Sequence, residues 1–260
     1  MNRLTKVGCL VLVSFVLSLS SNLAFSVEVD ATTVLEKVDA YRNFKGQSFA
    51  FDLTLISQSP NKDDSSFGMK ALIHDSHTSL ITYETPVKEK GKALLMNGRN
   101  LWFFTPKNRK PIKITPQQRL LGEASNGDVA STDFSKDYVP TILKEEDIEG
   151  QSYTVLELNA SEDSLAAYKK LHLWVSSDSY KPFKAMFFAP SGKHLKTAFY
   201  EKYETLPYLN NKLQLTEIRI VNAVQEGKST IMRYENFQIT ETQAADFKPG
   251  KIKQLANQQL

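Results

Sequence analysis

Between residues 49 and 55 apolar and polar side chains alternate. Phe49, Phe51, Leu53 and Leu55 share one parity, with Ala50, Asp52 and Thr54 on the other. A period of two predicts a strand with one apolar face. The polar run 57–66 reads as a turn, and 67–74 as the returning strand. Similar segments follow at 79–83, 92–96, 99–104, 111–114, 151–158, 168–175, 183–188, 194–200, 213–221 and 229–237. Asn97-Gly98 reads as a two-residue type I′ hairpin turn, whose central residues both need positive φ. Gly192 and Gly227 fall in turns of later pairs. Many short strands at regular spacing predict an antiparallel barrel or sandwich.

Two segments break that period. Before the first strand, Val34, Leu35, Val38 and Tyr41 recur at helical spacing, with Thr33 and Glu36 as a capping box. At 115–121, Thr115, Pro116 and Gln118 predict a short capped helix that Gly122 would end in a left-handed conformation. The stretch 123–137 then has no apolar period and is long enough to suggest a function of its own.

Composition narrows the class. Arg3 and Lys6, the apolar run 7–19 and Ala24-Phe25-Ser26 have the form of a cleaved secretory signal peptide covering residues 1–26. The run is shorter than the roughly 20 residues a membrane span needs. Cys9 lies near the start of the apolar run instead of after it, so it does not fit a lipidation site. Removing the leader from the 260-residue chain leaves 234 residues, one domain at 27–260, with no cysteine. Disulfides therefore cannot brace this exported domain, and its core must hold it. The formal charge of +3 falls to +1 with the leader, which leaves no electrostatic footprint for nucleic acid.

Searches for reaction chemistry return little. His74, His77, His172 and His194 occur without an H-E-x-x-H pattern. Asp128, Asp133 and Asp137 are carboxylates in one loop, but their spacing lacks the close alternation of a calcium loop; caps and turns explain them. No G-x-S-x-G elbow is present, and Ser191 and His194 are neighbours only through a turn. These absences argue against an enzyme, a metal site or a cofactor. The remaining signal is apolar surface. Leu94 to Met96, Leu101 to Phe104 and Met186 to Phe188 are apolar at consecutive positions, the pattern of strands covered on both faces.

The stretch KGKALLMNGRNLWFFTPKNRKPIKITPQQRLLGEASNGDVASTDFSKDY, residues 90–138, resembles the central signature of the outer-membrane lipoprotein-sorting (LolA-like) family. VLEKVDAYRNF at 34–44 and SGKHLKTA at 191–198 fit the same resemblance. It implies a mainly β fold: an incomplete, strongly curved antiparallel β-barrel with a few short helices covering its concave side. It also implies a periplasmic location and binding of lipid or lipoprotein acyl chains for delivery toward the outer membrane. The broad branch of the family, which this chain resembles more than the classical carrier, brings an inner-membrane RND/MMPL-type transporter as a partner.

Alternation then nominates Phe49, Phe51, Leu53, Leu94, Met96, Leu101, Phe103, Trp174, Met186 and Phe188 as the lining of an apolar cavity. A one-residue register error would turn any of these sets outward. Gly122, Asn126, Gly127, Asp128, Asp133, Asp137 and Tyr138 mark a lid or docking loop. The competing reading is an accessory interaction protein of a transporter or envelope complex, with no cargo of its own.

Overall fold

The computed structural model describes residues 30–258, apart from 109, 131, 132, 163 and 165. The expected leader lies outside the described residues. A helix, α1 (Ala31–Asp39), leads into six strands: β1 (Ser48–Ser59), β2 (Lys62–Asp75), β3 (Thr78–Thr85), β4 (Ala93–Asn97), β5 (Asn100–Phe104) and β6 (Ile112–Ile114). A crossing segment follows, with β7 (Arg119–Leu121), β8 (Ala124–Ser125), α2 (Asn126–Ala130) and α3 (Phe134–Asp137). Then come β9 (Tyr138–Ile148), β10 (Gln151–Ala160), β11 (Lys170–Ser176), β12 (Pro182–Phe188), β13 (His194–Leu206), β14 (Lys212–Asn222) and β15 (Ser229–Thr240). The last helix is α4 (Ile252–Gln258).

Among the described residues thirteen strands form one antiparallel sheet, ordered β6-β5-β4-β3-β2-β1-β15-β14-β13-β12-β11-β10-β9. Two meanders are thus joined where β1 pairs with β15. Strands β6 and β9 remain as edges, so the barrel is incomplete. The chain between those edges, residues 115–137, crosses the inner side; β7 and β8 form a separate hairpin within it. We refer to this crossing segment as the strap.

The alternation of β1 sets the inner face. Phe49 stands opposite Ile73, Phe51 opposite Ala71, and Leu53 between Met69 and Tyr234. The same parity carries through Ile81, Leu94 and Phe103 on one side. On the other it carries through Met232, Ile218, Tyr200 and Ala198. These residues share one buried cluster with Val34, Leu35 and Val38 of α1, Val129 and Ala130 of α2 and Phe134 of α3. Helices α1 to α3 therefore cover the concave face, as the resemblance implied. Helix α4 does not: its Ile252, with Phe247 from the segment before it, buries Leu80, Leu95 and Phe104 on the opposite face.

Several local expectations need correction. Helix α1 is capped by Asp30, whose carboxylate accepts from Thr33 N, so the predicted Thr33–Glu36 box is not the start. The run 57–66 is mostly strand, because β1 and β2 continue outward as a ribbon to a turn between Ser59 and Lys62. The β4–β5 turn is centred one residue later than expected: Asn97 pairs with Asn100, and of the two loop residues only Gly98 has positive φ. That is the requirement of type II′, not I′.

The helix predicted at 115–121 is a single turn followed by β7. Its box forms locally, with Thr115 N donating to Gln118 Oε1 at 2.9 Å. Leu121 then pairs with Ala124, and Gly122 takes its positive φ in that hairpin instead of at a helix end. Strand β9 had no counterpart in the sequence reading. Its residues Val139, Ile142 and Leu143 are exposed at an edge, so YVPTILKEEDI never shows a buried parity.

Candidate functional site: the concave face and its strap

The concave wall is apolar, but four polar points on it meet the strap or α1. Gly122 lies on the first. A Cβ built there would sit 2.3 Å from Thr230 Oγ1 and 2.4 Å from Ser57 Oγ. Only glycine lets the hairpin approach β1 and β15 this closely at φ +55°. Glu123 N then donates to Thr230 Oγ1 at 2.7 Å, so a fully buried wall hydroxyl holds the strap backbone.

The second point is Lys196, which occupies an inward position on β13, opposite Phe187, and is only 4% exposed. Its ammonium donates to Asp128 Oδ2 and, at 3.1 Å, to Glu123 O. The same carboxylate accepts from Ser125 N and Ser125 Oγ at 2.7 and 2.9 Å, which caps α2. Burial alone would lower the Lys196 pKa, but the Asp128 carboxylate outweighs it and holds the ammonium above its ordinary value. This contact fastens the strap to the wall.

Third, α1 and α3 are joined by a carboxylate. Asp39 accepts from Phe134 N and Ser135 N, both at 2.7 Å, while Arg42 stacks 4.1 Å from the centre of the Phe134 ring. Burial, reinforced by a hydrogen bond with Asp133, raises Asp39 well above the usual carboxylate range. Burial would raise Asp133 too, but its bonds to Asp39 and Ser135 prevail and lower it.

The fourth point lies in the β2–β3 turn, where His77 Nε2 is 3.5 Å from Asp137 Oδ1. The bond to Asp137 raises the histidine pKa, against a smaller lowering by burial. A base whose folded pKa is raised contributes its full stability below its unfolded pKa, about 6.5. That contribution is lost as pH rises through the folded value. The gap in Tm between the parent and His77→Gln is therefore expected to be wider near pH 5.5 than near pH 8.5, at about one unit and two units either side of that pKa. A gap that widens toward alkaline pH would contradict this contact.

Under this cover the space is divided, with about 280 Å³ beside Asp39, Phe44, Phe49, Ile73 and Asp133. The interior cavity lined by Arg42, Tyr138, Tyr168, Tyr200, Ile218 and Met232 measures about 50 Å³. Sites for small ligands usually enclose about 300–1,000 Å³. A larger cleft of about 560 Å³ opens at one end of the barrel, beside Tyr168, Phe188, Leu195 and Lys196. The concave wall can therefore admit a long apolar ligand only if the strap and α1 move away. Burial pushes the Tyr200 hydroxyl up to about 12, consistent with a dry interior.

The residues expected to line a cavity divide into two groups. Phe49, Phe51, Leu53, Leu94, Met96 and Leu101 belong to the concave cluster, and Phe103 packs against it. Trp174, Met186 and Phe188 do not. Trp174 and Met186 lie in a separate cluster with Tyr153 and Val155, and Phe188 stacks against His172, all on the outer face. On these strands the inward parity belongs to Leu171, Leu173, Ala185 and Phe187. Strands β11 and β12 are apolar on both faces, so alternation did not separate the two.

The strap residues are brought together only in part. Asp128, Asp133 and Asp137 go to three different partners, Lys196, Ser135 and His77. Among the described residues no group of histidine, cysteine or carboxylate side chains is arranged to hold a metal. Gly127 is needed for close approach, since a Cβ there would be 2.7 Å from Ala167 Cβ. Asn126 is buried, and Tyr138 donates to Tyr168 O at 3.1 Å.

The sequence reading missed Asp39, Arg42 and Lys196, and weighed His77 only as a metal ligand. Two carried a signal: Lys196 is in phase with Ala198 and Tyr200, and Asp39 follows Leu35 by four residues on the buried stripe of α1. His194 bonds to Lys196 O and Thr197 Oγ1, both at 3.0 Å, through its Nε2.

An open antiparallel barrel crossed by a strap is shared with known proteins. LolA superfamily protein NE2245 from Nitrosomonas europaea is 31% identical and superposes with a TM-score of 0.78, over 85% of this chain and 98% of that one. The chain belongs to the LolA superfamily. A protein-family model described as "Uncharacterized protein" also matches residues 75–254. A putative outer membrane lipoprotein-sorting protein domain from Vibrio parahaemolyticus shares the fold at 21% identity and a TM-score of 0.70, over 86% of this chain and 98% of that one. So does a DUF1329 family protein from Desulfovibrio piger, at 17% identity and 0.70, over 84% and 95%. No curated protein matches. No helix among the described residues is long and apolar enough to cross a membrane.

Proposed function

We propose that this protein is a periplasmic carrier that shelters the acyl chains of a lipid or lipoprotein against its concave wall, on the way to the outer membrane. The observation that carries this reading is the form of the cover. A continuous apolar wall, built from both meanders, is closed by α1 and a strap that lay a few apolar side chains on it and are fastened at polar points. Polar contacts can be exchanged for water as the strap lifts, whereas the wall beneath gains from an acyl chain. Each buried methylene contributes about 0.8 kcal/mol, so one chain is held firmly and still passes to a better acceptor. An inner-membrane transporter of the RND/MMPL type would be the donor in this scheme.

Native mass spectrometry and uptake of a fluorescent fatty acid test the proposal. Lipid is expected in the native protein, and the probe is expected to bind. Phe103→Ser, at the partly open inner edge, should weaken probe binding, while Met186→Ser on the outer face should leave it unchanged. No lipid together with no uptake would overturn the reading. An interior divided into spaces of about 280 and 50 Å³ would then favour an accessory protein of a transporter or envelope complex with no cargo.

A further inference from the structure

The charge of this chain is concentrated. Residues 86–113 hold eight lysines and arginines against a single glutamate, in a chain whose formal net charge is +3, so the remainder is net negative. Two loops within this segment, 86–92 and 105–111, cap the same end of the barrel, where β3 passes to β4 and β5 to β6. They touch: a methyl group on Gly91 would lie 3.1 Å from Pro106 Cγ.

Both loops are built of hydrogen-bonded turns. Glu89 N donates to Pro86 O, Lys90 N to Val87 O and Asn108 N to Thr105 O, at 2.8, 3.2 and 3.0 Å. That framework holds Val87 out at 87% exposure, the highest among the large apolar residues described. Ile112, 50% exposed, opens β6 directly after the second loop. Lys88, Lys107 and Lys110 are exposed and have no ion-pair partner among the described residues. An ordered loop that projects an aliphatic side chain between unpaired lysines is complementary to a surface with anionic headgroups above an apolar layer.

We propose that these two loops dock the protein on an anionic lipid bilayer, with Val87 entering the headgroup boundary and the lysines facing lipid phosphates. The patch also connects to the concave wall. Ile112 pairs with Phe103, which lies 6.3 Å from Tyr83, itself 5.6 Å from Phe67. This aromatic row runs along the inner face from the open β6 edge toward β1, and gives an acyl chain a path inward from the docked rim. The path rests on the carrier reading above; the docking rests only on charge and exposure.

Vesicle co-sedimentation tests the docking with the full chain. Binding to phosphatidylglycerol–phosphatidylcholine vesicles is expected, with little binding to phosphatidylcholine alone. It should fall away in about 1 M salt, where the screening length is roughly 3 Å. The triple change Lys88→Glu, Lys107→Glu and Lys110→Glu should weaken binding by about tenfold or more, and Val87→Ser by a smaller factor. Fatty-acid uptake by the triple variant in solution should match the parent, which also shows that it folds. Equal binding to both vesicles, no binding to either, or unchanged binding by the triple variant would overturn the proposal and favour an acidic protein surface as the partner. Failure of acyl uptake with docking intact would instead remove the carrier reading alone.

Discussion

Lys196→Met is expected to lower the stability of the protein by about 3–5 kcal/mol, the usual cost of stranding one charge of a buried pair. The lysine is 4% exposed and reaches Asp128 from inside the barrel wall. Methionine fills nearly the same space, so the loss comes from the carboxylate left behind and not from a hole. Asp128 would keep its bonds from Ser125 N and Oγ but lose its counter-ion in a dry site. Adding Asp128→Asn should recover most of the loss, since no net charge then remains buried and the capping bond survives. Urea unfolding of the parent, both single variants and the double variant checks this as a cycle. Equal stability of Lys196→Met and the parent would mean that the pair is solvated and does not fasten the strap.

Gly122→Ala is expected to have an effect of similar size through a different cause. A left-handed conformation imposed on a residue with a side chain costs about 1–3 kcal/mol. Forcing an extra methyl into a filled interior costs about another 1–3 kcal/mol. Here the methyl would meet Thr230 Oγ1 and both Oγ and Cβ of Ser57, all within 2.8 Å. The wall is sheet and the hairpin is short, so the hairpin is the part that yields. Beyond a lower midpoint in urea, limited proteolysis within 115–137 should become faster, and the fatty-acid probe should enter sooner. Ser57→Gly in the same chain should restore part of the stability, because it removes two of the three close contacts and leaves the backbone strain. No change on Gly122→Ala would show that the hairpin can rest away from the wall at little cost.

These contacts also show what could be read from the chain beforehand. Strands β1 to β5 and β10 to β15 were legible as short apolar segments between turns, and the alternation of β1 pointed to the inward set that begins at Phe49. Where both parities are apolar, as at Trp174, Met186 and Phe188, periodicity carries no information about direction, and α4 and the outer clusters supply the reason for the second apolar face. Strand β9 was illegible for the reverse cause, since an exposed edge imposes no pattern. The strap was recognisable as unusual, but its fastening was not. Ser57, Thr230, His77 and Asp39 become partners only when segments distant in sequence are brought together. The capping box at Thr115 shows the limit of local signals: its bond forms, yet the chain continues as a hairpin because the wall needs Gly122 there.

The pairing of β1 with β15 has a consequence for how the protein comes to be folded. Ser48 stands against Thr240, almost the length of the chain away, and this seam runs through the middle of the sheet and not along its margin. Each meander can form from neighbouring strands, but the curved wall exists only once the last strand has met the first. Contacts of such long sequence separation carry a large closure entropy and slow folding. Closure of the seam is thus expected to come late in folding, and the chain has no complete concave interior until its final strand has paired.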